Sequence, residues 1–143
     1  MYKIARVTDS AGLKVARNIM EQIRQECPAH WPYGLSADHF DGGCYLIREK
    51  QSSVPVGFCG FQKRAKRENG RLLKVGYYSI GILPAYRKCG FAKQAVSKLL
   101  AMKAASVDKM EAMIVAGNTP SLALAESLGV PAVIKSARYL RPI

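Results

Sequence analysis

The sequence lacks any hydrophobic run long enough to cross a membrane. No apolar stretch approaches the roughly 18 residues that a transmembrane helix requires. The opening residues, MYKIARVT, alternate polar and apolar side chains instead of placing a charged flank before an apolar block, as a secretory signal does. These absences predict a protein that is soluble and cytoplasmic.

Cysteine is sparse, and the four cysteines lie far apart in the chain: Cys27, Cys44, Cys59 and Cys89. They form no CxxC pair, and no nearby histidine completes a set of metal ligands, so the sequence predicts reduced thiols and no metal site. We interpret them as small packing residues. Cys89 is the exception, because the neighbouring cations Arg87 and Lys88 favour a reactive thiolate.

Acidic residues are also few. The 10 Asp and Glu face 22 Lys and Arg, which gives this basic protein a formal net charge of +12. The excess predicts attraction to anions through a field that salt screens. A phosphorylated cofactor, an acidic protein and nucleic acid all remain open as partners. The length of 143 residues and the hydrophobic content of 49% predict one globular domain, residues 1-143.

Hydrophobic periodicity predicts a chain of the α/β (α+β) class. A strand over residues 2–8 precedes a helix capped by Asp9 or Ser10. The runs CYLIREK, VPVGFCGFQKRAK and RLLKVGYYSIGIL predict an antiparallel meander, with Asn69-Gly70 as a tight hairpin turn. A helix and a strand follow. The next helix is predicted to have Thr119 as its cap and Pro120 in its first turn and to close at Gly129, and a last strand lies in AVIKSARYL.

Two segments have a biased composition. The segment from Pro28 to Gly43 is predicted to be a long loop, with a short helix around residues 36–40. Its aromatics either line a pocket or plug the end of the core: Trp31, Tyr33 and Phe40. Asp38 and Asp41 are available there to attract a cationic acceptor.

The second segment is the predicted hairpin, which carries six cations opposed only by Glu68: Lys63, Arg64, Lys66, Arg67, Arg71 and Lys74. No stacking aromatics lie among them. A solvated face is therefore favoured over a nucleic-acid surface, which rests on charge alone.

The segment YYSIGILPAYRKCGFAKQAVSKLL joins a strand to a helix in an unusual way. The apolar run stops at Pro84, and Arg87, Lys88 and Gly90 lead directly into the helix. Backbone amides at a helix N-terminus are unpaired and carry partial positive charge, and glycine lets the backbone approach a ligand closely. The junction therefore predicts a pyrophosphate site for a phosphate-bearing cofactor.

The surrounding sequence resembles the GCN5-related N-acetyltransferase (GNAT) superfamily. The segment ILPAYRKCGFAKQAVSKLL resembles motif A, V-x-P-x-x-R/Q-x-x-G-x-G/A, at five positions: Ile82, Pro84, Arg87, Gly90 and Ala92. The segment GNTPSLALAESLGV resembles motif B. The resemblance covers nearly the whole chain and implies a mixed, mostly antiparallel central sheet of about six strands, flanked by three to four helices.

The resemblance also implies acetyl-CoA (or CoA) as cofactor and direct acetyl transfer to an amine in a ternary complex. The amine belongs to a small molecule or a protein. The strand backbone would pair with the pantetheine arm, the loop amides would hold the pyrophosphate, and motif B would contact the pantetheine. The implied cofactor-binding residues are Ile80, Gly81, Ile82, Arg87, Lys88, Cys89, Gly90, Phe91, Ala92, Lys93, Asn118 and Ser121. The strands that flank Ile82 and Val115 are expected to splay apart.

The sequence departs from the family pattern at the catalytic positions. Ala125 occupies the place of the tyrosine that often protonates the leaving thiolate, Val130 replaces a usual aromatic, and the fourth strand contains no carboxylate. Four residues are substitute candidates: Tyr77 or Tyr78, Glu111 and Tyr139. Ordinary packing, or exposure to water for Glu111, is the alternative interpretation of each.

A second hypothesis follows from these departures: a catalytically degenerate structural or interaction protein that still binds CoA. The short tail is similar to that of small divergent members encoded by bacterial viruses, so a virion-associated location is the alternative if the chain is phage-encoded. A free edge at the last strand leaves a homodimer open.

Overall fold

The computed structural model of the protein describes residues 2–26, 28 and 40–135. Its strands are β1 Tyr2–Arg6, β2 Cys44–Glu49, β3 Pro55–Glu68, β4 Arg71–Ile82, β5 Lys109–Val115 and β6 Ala132–Lys135. Its helices are α1 Ser10–Glu26, α2 Phe91–Lys103 and α3 Thr119–Leu128, with short 3-10 turns at Pro84–Tyr86 and Ala104–Ser106. None of the described helices has the length and apolarity needed to span a membrane.

The strands form a single sheet in the order β1-β2-β3-β4-β5-β6. The first four strands pair antiparallel, whereas β4 with β5 and β5 with β6 pair parallel. The predicted class is confirmed: a mixed, mostly antiparallel sheet of six strands with three α-helices in the described part of the chain.

The helices cover opposite faces of this sheet because neighbouring strand residues alternate between faces. Helix α1 buries a stripe against Leu46 and Phe58, made of Ala16, Ile19, Met20 and Ile23. Asp9 caps it, since its Oδ1 accepts the amide of Gly12 at 2.7 Å. Helices α2 and α3 pack on the other face with Ile47, Phe61, Tyr78 and Ile82.

The hairpin between β3 and β4 turns where the sequence predicts. Asn69 and Gly70 have φ angles of 50° and 77°, so both adopt the left-handed conformation that a type I′ turn needs. The register continues from Gly57↔Ile82 to Glu68↔Arg71. Strand β2 reaches only Gly60 and β5 begins opposite Val75, so the outer part of the hairpin projects as a two-stranded ribbon.

The sheet is split between β4 and β5. Only Val75↔Lys109, Gly76↔Met110 and Tyr77↔Glu111 are paired between these strands. Beyond Glu111, β5 pairs instead with β6, from Ala112↔Ala132 to Val115↔Lys135. The expected splay of the two strands is therefore confirmed, and it arises because β5 exchanges one neighbour for the other.

The cap of α3 differs from the sequence prediction. Asn118, not Thr119, is the capping residue, and its Oδ1 accepts the amide of Ser121 at 3.3 Å. Asparagine and threonine both cap helices, and the backbone places the first helical residue at Thr119. The predicted end of this helix at Gly129 is confirmed, since Gly129 has a φ of 69°.

Several sequence predictions fall outside the described residues. These are the placements of Cys27, Trp31, Tyr33, Asp38 and Tyr139, the short helix around residues 36–40, and the part of the last strand beyond Lys135. Among the described cysteines, Cys44 and Cys59 are buried free thiols, which confirms their role as packing residues. Burial raises the pKa of Cys44 to about 11 and that of Cys59 to about 12.

Candidate active site

A cavity of about 550 Å³ opens where β4 and β5 part. Its walls are residues 78–82 of β4, residues 112–115 of β5, the first turns of α2 and α3, and Ile23 of α1. Ile80 and Ile82 point to the face of α2, whereas Ser79 and Gly81 point to the face of α1. Because β4 residues that point to either face line the cavity, the cavity passes through the sheet from one face to the other.

Among the residues that the structure describes, the β4 backbone along this cavity has no strand partner on the β5 side. The ladder to β5 ends at Tyr77, so the edge that runs through Ile80, Gly81 and Ile82 is open to an extended ligand. A polar arm lying there would pair as an added strand does. Gly81 is required by packing, because a Cβ atom would lie 2.6 Å from Phe58 and 2.7 Å from Ile23.

The N-terminus of α2 borders the same cavity, and no side chain in the described part of the protein caps it. Gly90 occupies the cap position with a φ of 80°, and Lys88 also adopts the left-handed conformation, with a φ of 64°. The first-turn amides of a helix have no intrahelical acceptor. Lys88 and Lys93 are exposed and have no ion-pair partner among the described residues. This geometry fits a pyrophosphate.

The other residues of this junction have structural contacts. Arg87 donates from Nε to the carbonyl of Ile82 at 2.9 Å and forms an ion pair with Glu26 of α1, although it also lines the cavity. Phe91 is buried and contacts the rings of Tyr2 and Tyr86 edge-on. These contacts fix the start of α2 to the sheet and to α1.

Cys89 is exposed, and its Sγ donates to the carbonyl of Arg87 at 3.6 Å. Its side chain does not line the cavity, unlike Ala92 and Lys93. Its predicted contribution is therefore limited to its backbone amide.

The start of α3 forms the far wall. Asn118 and Ser121, both predicted to contact the cofactor, line the cavity, together with Pro120 and Leu124. The Asn118 oxygen is already engaged as the helix cap. Ala125 is fully buried in the core and brings no hydroxyl group to this wall.

The adjacent residues Tyr77 and Tyr78 lie in different environments. Tyr78 lines the cavity, is 7% exposed, and has a buried hydroxyl oxygen with no hydrogen-bond partner in the described part of the chain. Burial raises the pKa of Tyr78 to about 12. Tyr77 points to the opposite face, where its hydroxyl donates to Glu111 Oε1 at 2.9 Å.

Glu111 lies next to the cavity but does not line it. It is 5% exposed, so the alternative interpretation that it faces water is wrong. Lys66 Nζ contacts its two carboxylate oxygens at 3.2 and 3.1 Å, and Lys109 Nζ lies 3.2 Å from Oε2. Burial raises the pKa of Glu111, but hydrogen bonds from Lys66, Tyr77 and Lys109 outweigh it and lower the pKa overall.

The structure adds wall residues that sequence reasoning missed. Ser79, Met113 and Ile23 line the cavity, and Lys66 reaches Glu111 across 45 positions of sequence. No local pattern connects these residues. The alternation of β4 could have assigned Ser79 to the α1 face once the splay was expected.

Comparison with known proteins identifies one matching family and many solved structures with a similar fold. Residues 11–130 match the family described as Acetyltransferase (GNAT) domain. No curated protein matches the sequence.

Three solved structures illustrate the similarity of fold. AAC(6')-Iy, solved with the bisubstrate analog CoA-S-monomethyl-acetylneamine, has 21% identity and a TM-score of 0.68, covering 91% of this chain and 90% of that chain. The aminoglycoside 6'-N-acetyltransferase AAC(6')-IG from Acinetobacter haemolyticus has 18% identity, a TM-score of 0.64 and 99% coverage of both chains. Glucosamine-6-phosphate N-acetyltransferase from Arabidopsis thaliana has 13% identity, a TM-score of 0.61 and 91% coverage of both.

Proposed function

Because the chain belongs to the Acetyltransferase (GNAT) domain family, we propose that it binds acetyl-CoA between β4 and β5 and transfers the acetyl group to an amine. One observation carries this proposal. The sheet opens beside a helix N-terminus that has no side-chain cap, flanked by two lysines that have no ion-pair partner, within the described part of the chain. An anion site thus adjoins a narrow cavity with an open strand edge, which is what a pyrophosphate joined to an extended arm requires.

Each part of the cavity has a proposed task. The amides from Lys88 to Lys93 bind the pyrophosphate, with the charges of Lys88 and Lys93 beside them. The β4 backbone from Ile80 to Ile82 pairs with the pantetheine arm, and Asn118 and Ser121 contact it from α3. Acetyl-CoA supplies an activated thioester, and this chain aligns it with the incoming amine.

We further propose that Tyr78 assists the departing sulfur. When the neutral amine nitrogen bonds to the acetyl carbon, the C–S bond breaks, negative charge develops on the departing thiolate sulfur, and the nitrogen releases its proton to water. The Tyr78 hydroxyl has no other partner among the described residues, and its pKa of about 12 keeps it protonated at neutral pH. A small rotation of the ring lets it donate a hydrogen bond to this sulfur, which stabilises the developing charge.

A second candidate function is a CoA-binding interaction protein without catalysis. The observation that favours it is the wall composition: no Asp or Glu lines the cavity among the described residues, and Ala125 brings no hydroxyl group. In that case the amine's proton has no side-chain acceptor in the described cavity.

Calorimetric titration with acetyl-CoA at two salt concentrations tests the proposed binding. We expect saturable micromolar binding that weakens at high salt, because screening reduces the attraction of the pyrophosphate to the α2 N-terminus. An absence of binding at low salt would contradict the proposal. Binding without turnover of any amine in a broad panel would favour the second candidate.

The role of Tyr78 is tested with Tyr78→Phe. We expect kcat to fall by about tenfold or more, with unchanged affinity for acetyl-CoA, since the hydroxyl acts on charge that develops only during reaction. Tyr45→Phe is the control, because Tyr45 is also 7% exposed in the same core but lies outside the cavity. Equal kcat values for the two variants would rule out the role.

A further inference from the structure

A group of cations lies at the end of the cavity where β4 and β5 begin to separate, on the face that α1 covers. The cavity walls begin at Tyr78 and Ala112, directly after the last paired residues, Tyr77 and Glu111. Tyr78 and Ala112 belong to the core beneath α2 and α3, so Tyr77 and Glu111 point to the opposite face. The surroundings of Glu111 therefore border the entrance from the α1 side.

Glu111 holds two lysines at this entrance. Its side chain is 7% exposed, whereas those of Lys66 and Lys109 are 42% and 32% exposed. Both ammonium nitrogens lie within 3.2 Å of the Glu111 carboxylate. Each ammonium has three N–H donors, so the exposed side of the pair keeps donors available. A carboxylate fixed in this way is a weak base and serves to position cations.

Arg64 adds an uncompensated charge to this group. It lies on the same face as Lys66, two residues nearer the cavity end of β3, and is exposed. No described residue forms an ion pair or hydrogen bond with its guanidinium. Burial and the Glu111 hydrogen bond raise the pKa of Tyr77, and the nearby charge of Arg64 opposes that rise.

The carboxylates of this face are already occupied. Glu111 is bound by Lys66 and Lys109, and Glu68, farther out on the ribbon, lies 2.6 Å from Lys109 Nζ. A polycationic amine would therefore meet the unpaired guanidinium of Arg64, and neither of the two described carboxylates of this cluster would be free to bind it. An arginine guanidinium with a lysine ammonium beside it is suited to binding a phosphate or carboxylate, because the guanidinium donates two parallel hydrogen bonds to the anion.

We propose that the acceptor amine carries a phosphate or carboxylate group, which Arg64 binds together with Lys66. The inference rests on the proposed function, since it assigns the acceptor of the same site. The anion binds on the α1 face while the amine enters the cavity at the end where β4 and β5 begin to separate. An anionic acceptor would distinguish this chain from the proteins of similar fold that act on aminoglycosides.

Matched amines test the proposal at saturating acetyl-CoA. Glucosamine 6-phosphate is compared with glucosamine and with the polycation neamine, and a lysine peptide flanked by glutamates is compared with one flanked by glutamines. We expect kcat/KM to be about tenfold or more higher for the anionic member of at least one pair, and the preference to shrink as salt rises. The pair that responds distinguishes phosphate from carboxylate. Equal rates, or preference for neamine, would overturn the proposal.

Two arginine variants test whether the preference for an anionic amine depends on Arg64. Arg64→Ala should raise KM for the preferred anionic amine about tenfold while kcat and acetyl-CoA affinity stay unchanged, because the anion contact is lost equally from the ground state and the transition state. Arg67→Ala is the matched control, since Arg67 lies on the opposite face of the same strand. Equal losses in both variants, or a uniform loss toward all amines, would contradict the assignment.

The two proposals fail in distinguishable ways. Failure of acetyl-CoA to bind in calorimetry contradicts the proposed function and leaves the anion site testable by itself. If no amine is turned over, glucosamine 6-phosphate and the glutamate-flanked peptide are titrated into CoA-saturated protein and into the Arg64→Ala variant. Binding of either that is lost in the variant supports the anion site, and no binding of both overturns it.

Discussion

The N-termini of α2 and α3 border the same cavity but satisfy their backbone amides differently. Helix α3 is closed by its own chain: Asn118 accepts the amide of Ser121, and Pro120 has no amide hydrogen to satisfy. Helix α2 has Gly90 at the cap, no side-chain acceptor among the described residues, and the cations Lys88 and Lys93 nearby. One terminus is complete as folded, and we propose that a bound anion completes the other.

The difference is what we expect between a helix start that binds an anion and one that does not. A capping side chain would satisfy the α2 amides permanently and block access to them. Leaving them open forgoes a stabilising contact, and the two lysines, which have no ion-pair partner among the described residues, add repulsion that a bound anion would relieve. The three predictions below test this contrast.

The largest effect is expected from placing a carboxylate at the open terminus. Gly90→Glu should abolish acetyl-CoA binding, weakening it by at least about 100-fold, because the new side chain fills the anion site and repels the pyrophosphate. Calorimetric titration measures the loss.

Gly129→Glu is the control for this substitution. Gly129 has a φ of 69°, close to the 80° of Gly90, and a Cβ there has open space, so both variants carry similar backbone strain. The control should lose stability and keep acetyl-CoA affinity. Unchanged affinity in Gly90→Glu would remove the assignment of the pyrophosphate site.

A smaller effect is expected at the closed terminus. Asn118→Ala should lower the free energy of unfolding by about 1 kcal/mol, because the Ser121 amide loses its acceptor. Thr119→Ala should change it by less than about 0.5 kcal/mol, since Thr119 is not the cap. Denaturant titration separates the two, and a larger loss for Thr119→Ala would contradict the observed cap.

The smallest effect is expected at Lys88, where stability and binding should change in opposite directions. Lys88→Gly removes a non-glycine residue from the left-handed conformation and should raise the free energy of unfolding by about 0.5 kcal/mol. Acetyl-CoA affinity should fall several-fold because one cation is lost. Thermal unfolding and calorimetry measure the two quantities, and a parallel change in both would argue against a binding role for this lysine.

The fold was largely predictable because its signals are local. The apolar spacing of Ala16, Ile19 and Met20, the Asn69-Gly70 turn and the closing Gly129 each lie within one element. The α2 junction was predictable for the same reason, since the cations and Gly90 adjoin in sequence. The capping residue of α3 was not predictable, because Asn118 and Thr119 are adjacent and both residue types cap helices.

The surroundings of the cavity were less predictable because they depend on pairing between distant strands. Glu111 reads as an ordinary polar residue in a strand, and its contact with Lys66 exists only through the registers of β3 with β4 and β4 with β5. Arg87 gives a similar lesson. Its motif position suggests phosphate binding, yet its contacts tie the loop to Ile82 and Glu26.

The three-pair junction between β4 and β5 has a further consequence for how the protein opens. Strand β5, helix α3 and strand β6 are joined to the rest of the sheet mainly through this short ladder and through packing of α3 on α2. We therefore expect these elements to exchange their amide hydrogens before the antiparallel part does. A molecule bound to both β4 and β5 would link these elements to the antiparallel part. Its binding should therefore slow amide exchange in β5 and β6 far more than in β2 and β3.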